Sequence, residues 1–212
     1  MSGSSSVPGG DRLHQRLTAQ DSPADGVLDT LADFGAVSRV VILLRGINVG
    51  GHKRISMADL RTLLAERGYE DVQTYLQSGN AVVTTRRKPA AVERDVSAAI
   101  TEALGHDVDV VARTAEQIAE VVRDDPFADV RDDPKRHQAV FLGGDPDAGA
   151  IATLESTDFS PERLVVRPGV LHAWCPNGVN DSPLIKALTK VRTTATARNW
   201  RTVEALLEMS RP

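Results

Sequence analysis

Cysteine is almost missing from this chain: of 212 residues only Cys175 carries a thiol, which excludes an internal disulfide framework and a zinc site built on paired thiolates. A lone thiol fits a reducing cytoplasm. Long apolar runs are missing too. The longest, Val40 to Leu44, falls far short of the roughly 18 residues needed to span a bilayer. The first thirty residues hold Ser, Gly, Asp and Pro with no basic start ahead of an apolar stretch, so they do not form a secretory signal. A basic excess is absent: 25 Lys and Arg against 29 Asp and Glu leave a net charge of −4, which argues against a protein that coats nucleic acid or an anionic membrane. Aromatics are scarce, with four Phe, two Trp and two Tyr. What remains, 41% apolar and 25% charged, is the composition of a globular protein. At about 150 residues per domain the length allows between one and two domains.

The charge is segregated. Arg39, Arg45, Lys53 and Arg54 fall in a stretch without acids, and Lys186, Lys190, Arg192, Arg198 and Arg201 fall in another. Residues 92–135 hold twelve acids and five bases. Two anion-attracting patches are one explanation, and solvated helix faces and loops are the other.

Residues 1–38 carry turn formers and then a weak helical stripe of Val27, Leu28, Leu31 and Phe34, which predicts a disordered or weakly helical leader. Residues 39–45 are β-branched and apolar, a buried strand. A glycine-rich loop follows, then a helix that starts at Ser56 with Asp59 three residues on and stops at Gly68. Residues 72–76 and 81–85 form a hairpin around Gln77-Ser78-Gly79-Asn80. A helix over 90–104 and a strand over 108–112 complete the order strand, helix, strand, strand, helix, strand. That is the split βαβ order of the ferredoxin-like fold. A linking helix and loop occupy 113–136. Residues 137–212 repeat the order: strand 137–142, helix 146–155, hairpin strands 164–166 and 170–174, helix 182–190, strand 194–198, and a terminal helix 200–209 capped by Asn199. The expected class is α+β: two tandem ferredoxin-like subdomains, 39–112 and 137–212, with mainly antiparallel sheets and a C-terminal helix.

Right-handed crossover makes the first two strands of each unit parallel. The loop Arg45-Gly46-Ile47-Asn48-Val49-Gly50-Gly51 and the turn Gln77-Ser78-Asn80 therefore belong on one rim, bordered by His52, Lys53 and Arg54. Glycines between a strand and a helix let N–H groups converge on an anion, with the helix dipole behind them. This is no Walker loop, because His52 stands where the lysine belongs and the sheet is antiparallel. The candidate ligand-binding set is Arg45, Gly46, Asn48, Gly50, Gly51, Lys53, Arg54, Gln77, Ser78 and Asn80. A second edge brings Asn177, Ser182, Arg198 and Asn199 together. The competing architectural explanation is that these residues only shape turns and cap helices.

Other chemistry is poorly represented. The five histidines, at 14, 52, 106, 137 and 172, show no i, i+4 pair, and no serine sits in a nucleophile elbow. Asp124-Asp125-Pro126 and Asp132-Asp133-Pro134 have the carboxylates for magnesium but fit solvated loop acids around turn prolines. Cys175 fits a small apolar side chain. Base stacking on the sheets is disfavoured because no aromatic lies in 39–45 or 81–85. No metal and no cofactor is expected.

Leu43-Leu44-Arg45-Gly46-Ile47-Asn48-Val49-Gly50-Gly51 through Met57, Tyr75-Leu76-Gln77-Ser78-Gly79-Asn80, Pro176-Asn177-Gly178 and Arg198-Asn199-Trp200 resemble the bacterial family known as domain of unknown function 1697. The resemblance runs over about 39–209 and implies the tandem ferredoxin-like architecture, with no activity attached. Such proteins usually carry Gly-Arg-Ser-Lys-Leu after the Asn-Gly pair; here the residues are Asn180-Asp181-Ser182-Pro183-Leu184. Two cations are therefore missing from that loop, for which Arg198 and Lys186 substitute only in part. The resemblance also places the leader outside the usual start.

Three functions compete. The first is a non-catalytic binder of a phosphate-bearing small ligand or a nucleic-acid backbone at the glycine loop. The second is an interaction module whose motifs are architectural, and the third an enzyme of unknown reaction using the Asn and Arg loops. No membrane partner is expected, and oligomeric state is left open.

Overall fold

The computed structural model describes residues 33–50, 53–130, 132–191 and 193–211. Twelve residues, 45–56, separate the first described strand from the first described helix, and the elements then run through two similar halves. The first half contains β1 (Phe34–Leu44), α1 (Met57–Glu66), β2 (Glu70–Tyr75), β3 (Asn80–Arg87), α2 (Pro89–Leu104), β4 (Val110–Thr114) and α3 (Ala115–Arg123). The second contains β5 (His137–Leu142), α4 (Ala148–Ser156), β6 (Arg163–Arg167), β7 (Val170–Trp174), α5 (Pro183–Leu188), β8 (Ala195–Asn199) and α6 (Trp200–Met209). Each half makes one four-stranded antiparallel sheet, ordered β2-β3-β1-β4 and β6-β7-β5-β8.

Local signals set the element ends. The Ser56 hydroxyl accepts from Asp59 N and Asp147 accepts from Ala150 N. Thr114 and Gln117 form a complete capping box on α3, and Gly105 ends α2 in the left-handed region at φ 67°. The first strand corrects the sequence expectation. Phe34, assigned above to a helical stripe, opens β1 opposite Arg87, and Lys88 N donates to Asp33 O at 2.8 Å. A weak local helical pattern yields here to pairing with the long β3. The rest of the expected leader, 1–32, lies outside the described residues. β4 and β8 also sit later than the pattern implied, so that their last residues, Thr114 and Asn199, are the caps of α3 and α6.

Why β1 has no polar alternation becomes clear from its two faces. Val40, Ile42 and Leu44 pack with Leu60 and Leu64 of α1 and Val92, Val96 and Ile100 of α2. Val41 and Leu43 point the other way, where they meet Ala139, Phe141 and Val170 of the second sheet together with Trp200 and Val203 of α6. Val140 and Leu142 of β5 face α4 and α5 through Leu154, Leu184 and Leu188. Each sheet thus carries two helices on its outer face, and its inner face turns toward the other sheet, with Ile118 of α3 and Trp200, Val203 and Leu206 of α6 packed between them. A strand covered on both faces must be apolar at every position. The sheet faces that a single such unit would leave open are closed by the other sheet together with α3 and α6.

Candidate functional site

Glycine-loop backbone and hairpin turn are neighbours, as strand winding requires. Leu43 pairs with Asn80 across β1 and β3, and Leu44 N donates to Gly79 O at 2.8 Å. Asn48 fastens the two segments. Its Nδ2 donates to Gln77 O at 2.6 Å and Ile55 O at 2.9 Å, while its Oδ1 accepts from Ile55 N at 3.0 Å. At φ 57° Asn48 also adopts the left-handed backbone that asparagine tolerates. Lys53 and Leu76 share that region, with φ of 46° and 56°, so three strained non-glycine residues gather at one rim.

Asn80 is fully buried, and its Nδ2 donates to Tyr75 O and Ser78 Oγ. Its Oδ1 accepts from Nε of Arg198, a residue of the other half. Here the expected grouping is corrected. The Arg198 side chain does not stay with Asn177 and Ser182 at the second edge; it crosses to the first rim. Nη2 donates to Leu44 O at 2.8 Å, Gly79 O at 3.2 Å and Ser78 O at 3.3 Å. Nη1 donates to Thr196 Oγ1 and Ala197 O. Among the described residues no carboxylate pairs with it, and burial pulls its pKa down to about 10, still far above neutrality. The guanidinium is charged, buried, and balanced by carbonyl dipoles.

A second arginine crosses in the reverse direction, part-buried and with Glu93 of its own half 3.7 Å from its Nη1. Arg113 of β4 donates through Nη2 to Leu142 O, and to Gly169 O at 3.2 Å. Leu142 and Gly169 hold in the second half the places of Leu44 and Gly79, since Leu142 N donates to Gly169 O at 3.0 Å. The halves are therefore related as a repeat, and each inserts an arginine from its last strand into the strand end and hairpin turn of the other. Sequence reading missed Arg113, because an arginine that answers backbone carbonyls leaves no pattern distinct from a surface cation.

Of the remaining second-edge residues, Ser182 and Asn199 cap helices. Ser182 Oγ accepts from Ile185 N at 2.9 Å and meets the buried Cys175 Sγ at 3.5 Å. Burial raises the Cys175 thiol above its ordinary pKa, the wrong direction for a nucleophile. Asn199 accepts from Thr202 N and Oγ1 at 3.0 Å. Asn177 is exposed, on a cavity it shares with Ser182, Lys135 and Arg136.

The cations stay at the first rim. Arg45 is half-exposed and contacts Asp109 at 3.0 Å, Lys53 reaches Asp107 O, and Arg54 is exposed. Arg45, Gly46, Ile47 and Ser78 form one wall of a crevice of about 360 Å³ whose other wall, including Thr189, Thr193 and Arg198, belongs to the second half. Gly50 is exposed beside it, and Gly51 lies outside the described residues together with His52.

Two histidines also meet against expectation. His137 Nε2 and His172 Nδ1 are 3.1 Å apart, both rings are buried, and His137 stacks on Trp200 with centroids 4.2 Å apart. Asp125, read above as a solvated loop acid, has a side chain only 6% exposed and sits 3.5 Å from His137 Nδ1. Adjacent antiparallel strands, which sequence spacing cannot reveal, bring the rings together. No group of three or more metal-ligating side chains gathers among the described residues, and none of the helices there is long and apolar enough to cross a membrane.

Fold and rim together define an α+β protein of two four-stranded antiparallel sheets, with Arg45, Lys53 and Arg54 on the loop that follows the first strand. Residues 37–172 match the family model described as "Protein of unknown function (DUF1697)", and the chain belongs to that family. It is similar in structure to the conserved bacterial protein SP0830 from Streptococcus pneumoniae, at 26% identity and a TM-score of 0.70, over 83% of this chain and 100% of that one. No curated protein matches it.

Proposed function

We propose that the protein is a non-catalytic binder of a phosphate-bearing ligand, held in the crevice between the loop of Arg45 to Arg54 and the second half. In this reading each half is a ferredoxin-like unit and the chain works in the cytoplasm, where a single buried thiol stays reduced. The observation that carries the proposal is an asymmetry. The repeat accounts for Arg198, Gly79 and the strand ends, all of which have counterparts in the second half. It does not account for Arg45, Lys53 and Arg54, because the corresponding loop after β5 reads Gly143-Gly144-Asp145-Pro146 without a cation. Arg198 lends the crevice a further positive charge that no carboxylate among the described residues cancels.

Thermal unfolding at low salt, with inorganic phosphate, sugar phosphates, nucleotides and short RNA in turn, tests the reading. A ligand at a hundred times its Kd stabilises by about 2.7 kcal/mol, or roughly 5–10 °C at this chain length. The R45A/K53A variant should lose the shift while keeping its fold. If all four classes leave the wild-type Tm unmoved, the reading is wrong. An interaction module is the second reading. It is favoured by Val49 and Leu76, two exposed apolar residues flanking the Asn48–Gln77 contact.

A further inference from the structure

A second cavity, about 450 Å³, opens on the opposite side of the interface between the halves, where Arg113, Gln117, Arg167 and His172 form part of its lining. We propose that this cavity binds a small anion that also carries a hydroxyl or N–H donor, the chemistry of a hydroxy acid or of a hydroxylated phosphate ester. The proposal is independent of the crevice at the glycine loop.

Proton order along a buried chain carries the inference. The Asp125 carboxylate lies 3.5 Å from His137 Nδ1, which favours the tautomer with the proton on that nitrogen. His137 Nε2 then has a lone pair, and it takes the proton of His172 Nδ1 across 3.1 Å. His172 is left with an unprotonated Nε2 as the nitrogen available to the cavity. Burial, with Arg167 adding to it, lowers the His172 pKa to about 4, so the ring is neutral at physiological pH. The floor of the cavity is thus a hydrogen-bond acceptor, whereas Arg113 and the exposed Arg167 on its walls are cations. Arg113 is tethered to the carbonyls of Leu142 and Gly169, while Arg167 spends one nitrogen on Val166 O and keeps the rest of its fork for an anion. Glu120 and Asp124, also in the lining, oppose a ligand of high negative charge and favour a singly charged one. An acceptor beside cations is satisfied by a ligand that offers both a donor and an anionic group, and is left unanswered by an anion alone.

Calorimetric titration with two matched pairs, lactate against propionate and glycerol 3-phosphate against propyl phosphate, tests this. The hydroxylated member of at least one pair should bind about tenfold more tightly than its partner. The titrations are run in the R45A/K53A background, which removes the site proposed at the glycine loop, and there Arg167→Ala, at an exposed position, should weaken binding about tenfold. On binding, the His172 Nε2 nitrogen resonance of the wild-type protein should move toward the hydrogen-bonded range, a readout that needs no core substitution. Equal affinities within both pairs, an undiminished affinity in Arg167→Ala, or no binding of any probe at millimolar concentration overturns the proposal.

Discussion

Replacing Arg198 with methionine tests the clasp between the halves. Methionine retains much of the aliphatic volume, so little cavity is created and the loss is mainly polar. In the first half, Asn80 Oδ1 and the carbonyls of Leu44, Ser78 and Gly79 lose a charged donor. Gly79 O keeps its bond from Leu44 N, and Ser78 is exposed, so the cost concentrates on Asn80 and Leu44, both fully buried. Hydrogen bonds to charged groups contribute about 1.5–3 kcal/mol each, and a buried acceptor left without a donor costs about 1–3 kcal/mol. Relief of the guanidinium's desolvation offsets part of this. The expected net loss is about 3–5 kcal/mol, which corresponds to a Tm lower by roughly 6–20 °C for a chain of this size. Urea unfolding with an unchanged m-value measures it directly. Arg198→Lys keeps the charge but not the planar fork, and should fall between the two. A loss below about 1 kcal/mol for Arg198→Met would show that the carbonyls find other donors and that the clasp does not hold the halves.

Gly79→Ala should be worse than an ordinary glycine change, by about 2 kcal/mol or more: a Cβ would stand 2.7 Å from Ile47 Cδ1 and 2.8 Å from Leu44 Cβ at a φ of 78°. Chemical denaturation checks that value. Asn48→Ala should cost about 2–3 kcal/mol through three lost hydrogen bonds and an unfavourable φ, whereas Asn48→Gly, which relieves only the backbone, should recover about 1 kcal/mol. Equal losses for the two would remove the backbone contribution. Acid should destabilise the protein through His172. Its folded pKa of about 4 lies below the ordinary 6.5, so the unfolded chain binds the extra proton first, and stability is full above pH 6.5 and falls as pH drops toward 4. At about 1.4 kcal/mol per pKa unit the loss is up to about 3 kcal/mol, and His172→Asn should flatten that limb of the stability profile.

Element order was legible because it rests on short-range chemistry: the apolar run of β1, the Ser56 and Asn199 caps, and turn glycines at 79 and 169. The meeting of Asn48 with the hairpin turn was legible too, since strand handedness alone brings the two segments to one edge. What the sequence concealed lies in contacts between the halves. Arg198 reads as a member of the second edge and Arg113 carries no signal at all, and only the other half shows that both donate to its carbonyls. His137 and His172 are 35 residues apart, and their contact depends on the register of β5 with β7, in which Ala139 stands opposite His172. Asp125 read as a loop acid because helix-stop patterns say nothing of what folds over the stop. The charge blocks were a poor guide for the same reason: Arg198 belongs to a basic stretch yet is 8% exposed and reaches solvent at the crevice.

The reciprocal insertion of Arg113 and Arg198 makes the two halves interdependent. A fragment ending before β5 would leave Leu44 O and Asn80 Oδ1 without their charged donor and Arg113 without its carbonyls across the interface, and the complementary fragment would have the same defects at Leu142 O and Arg198. Melting should accordingly proceed in one cooperative step, with neither moiety surviving the loss of its twin.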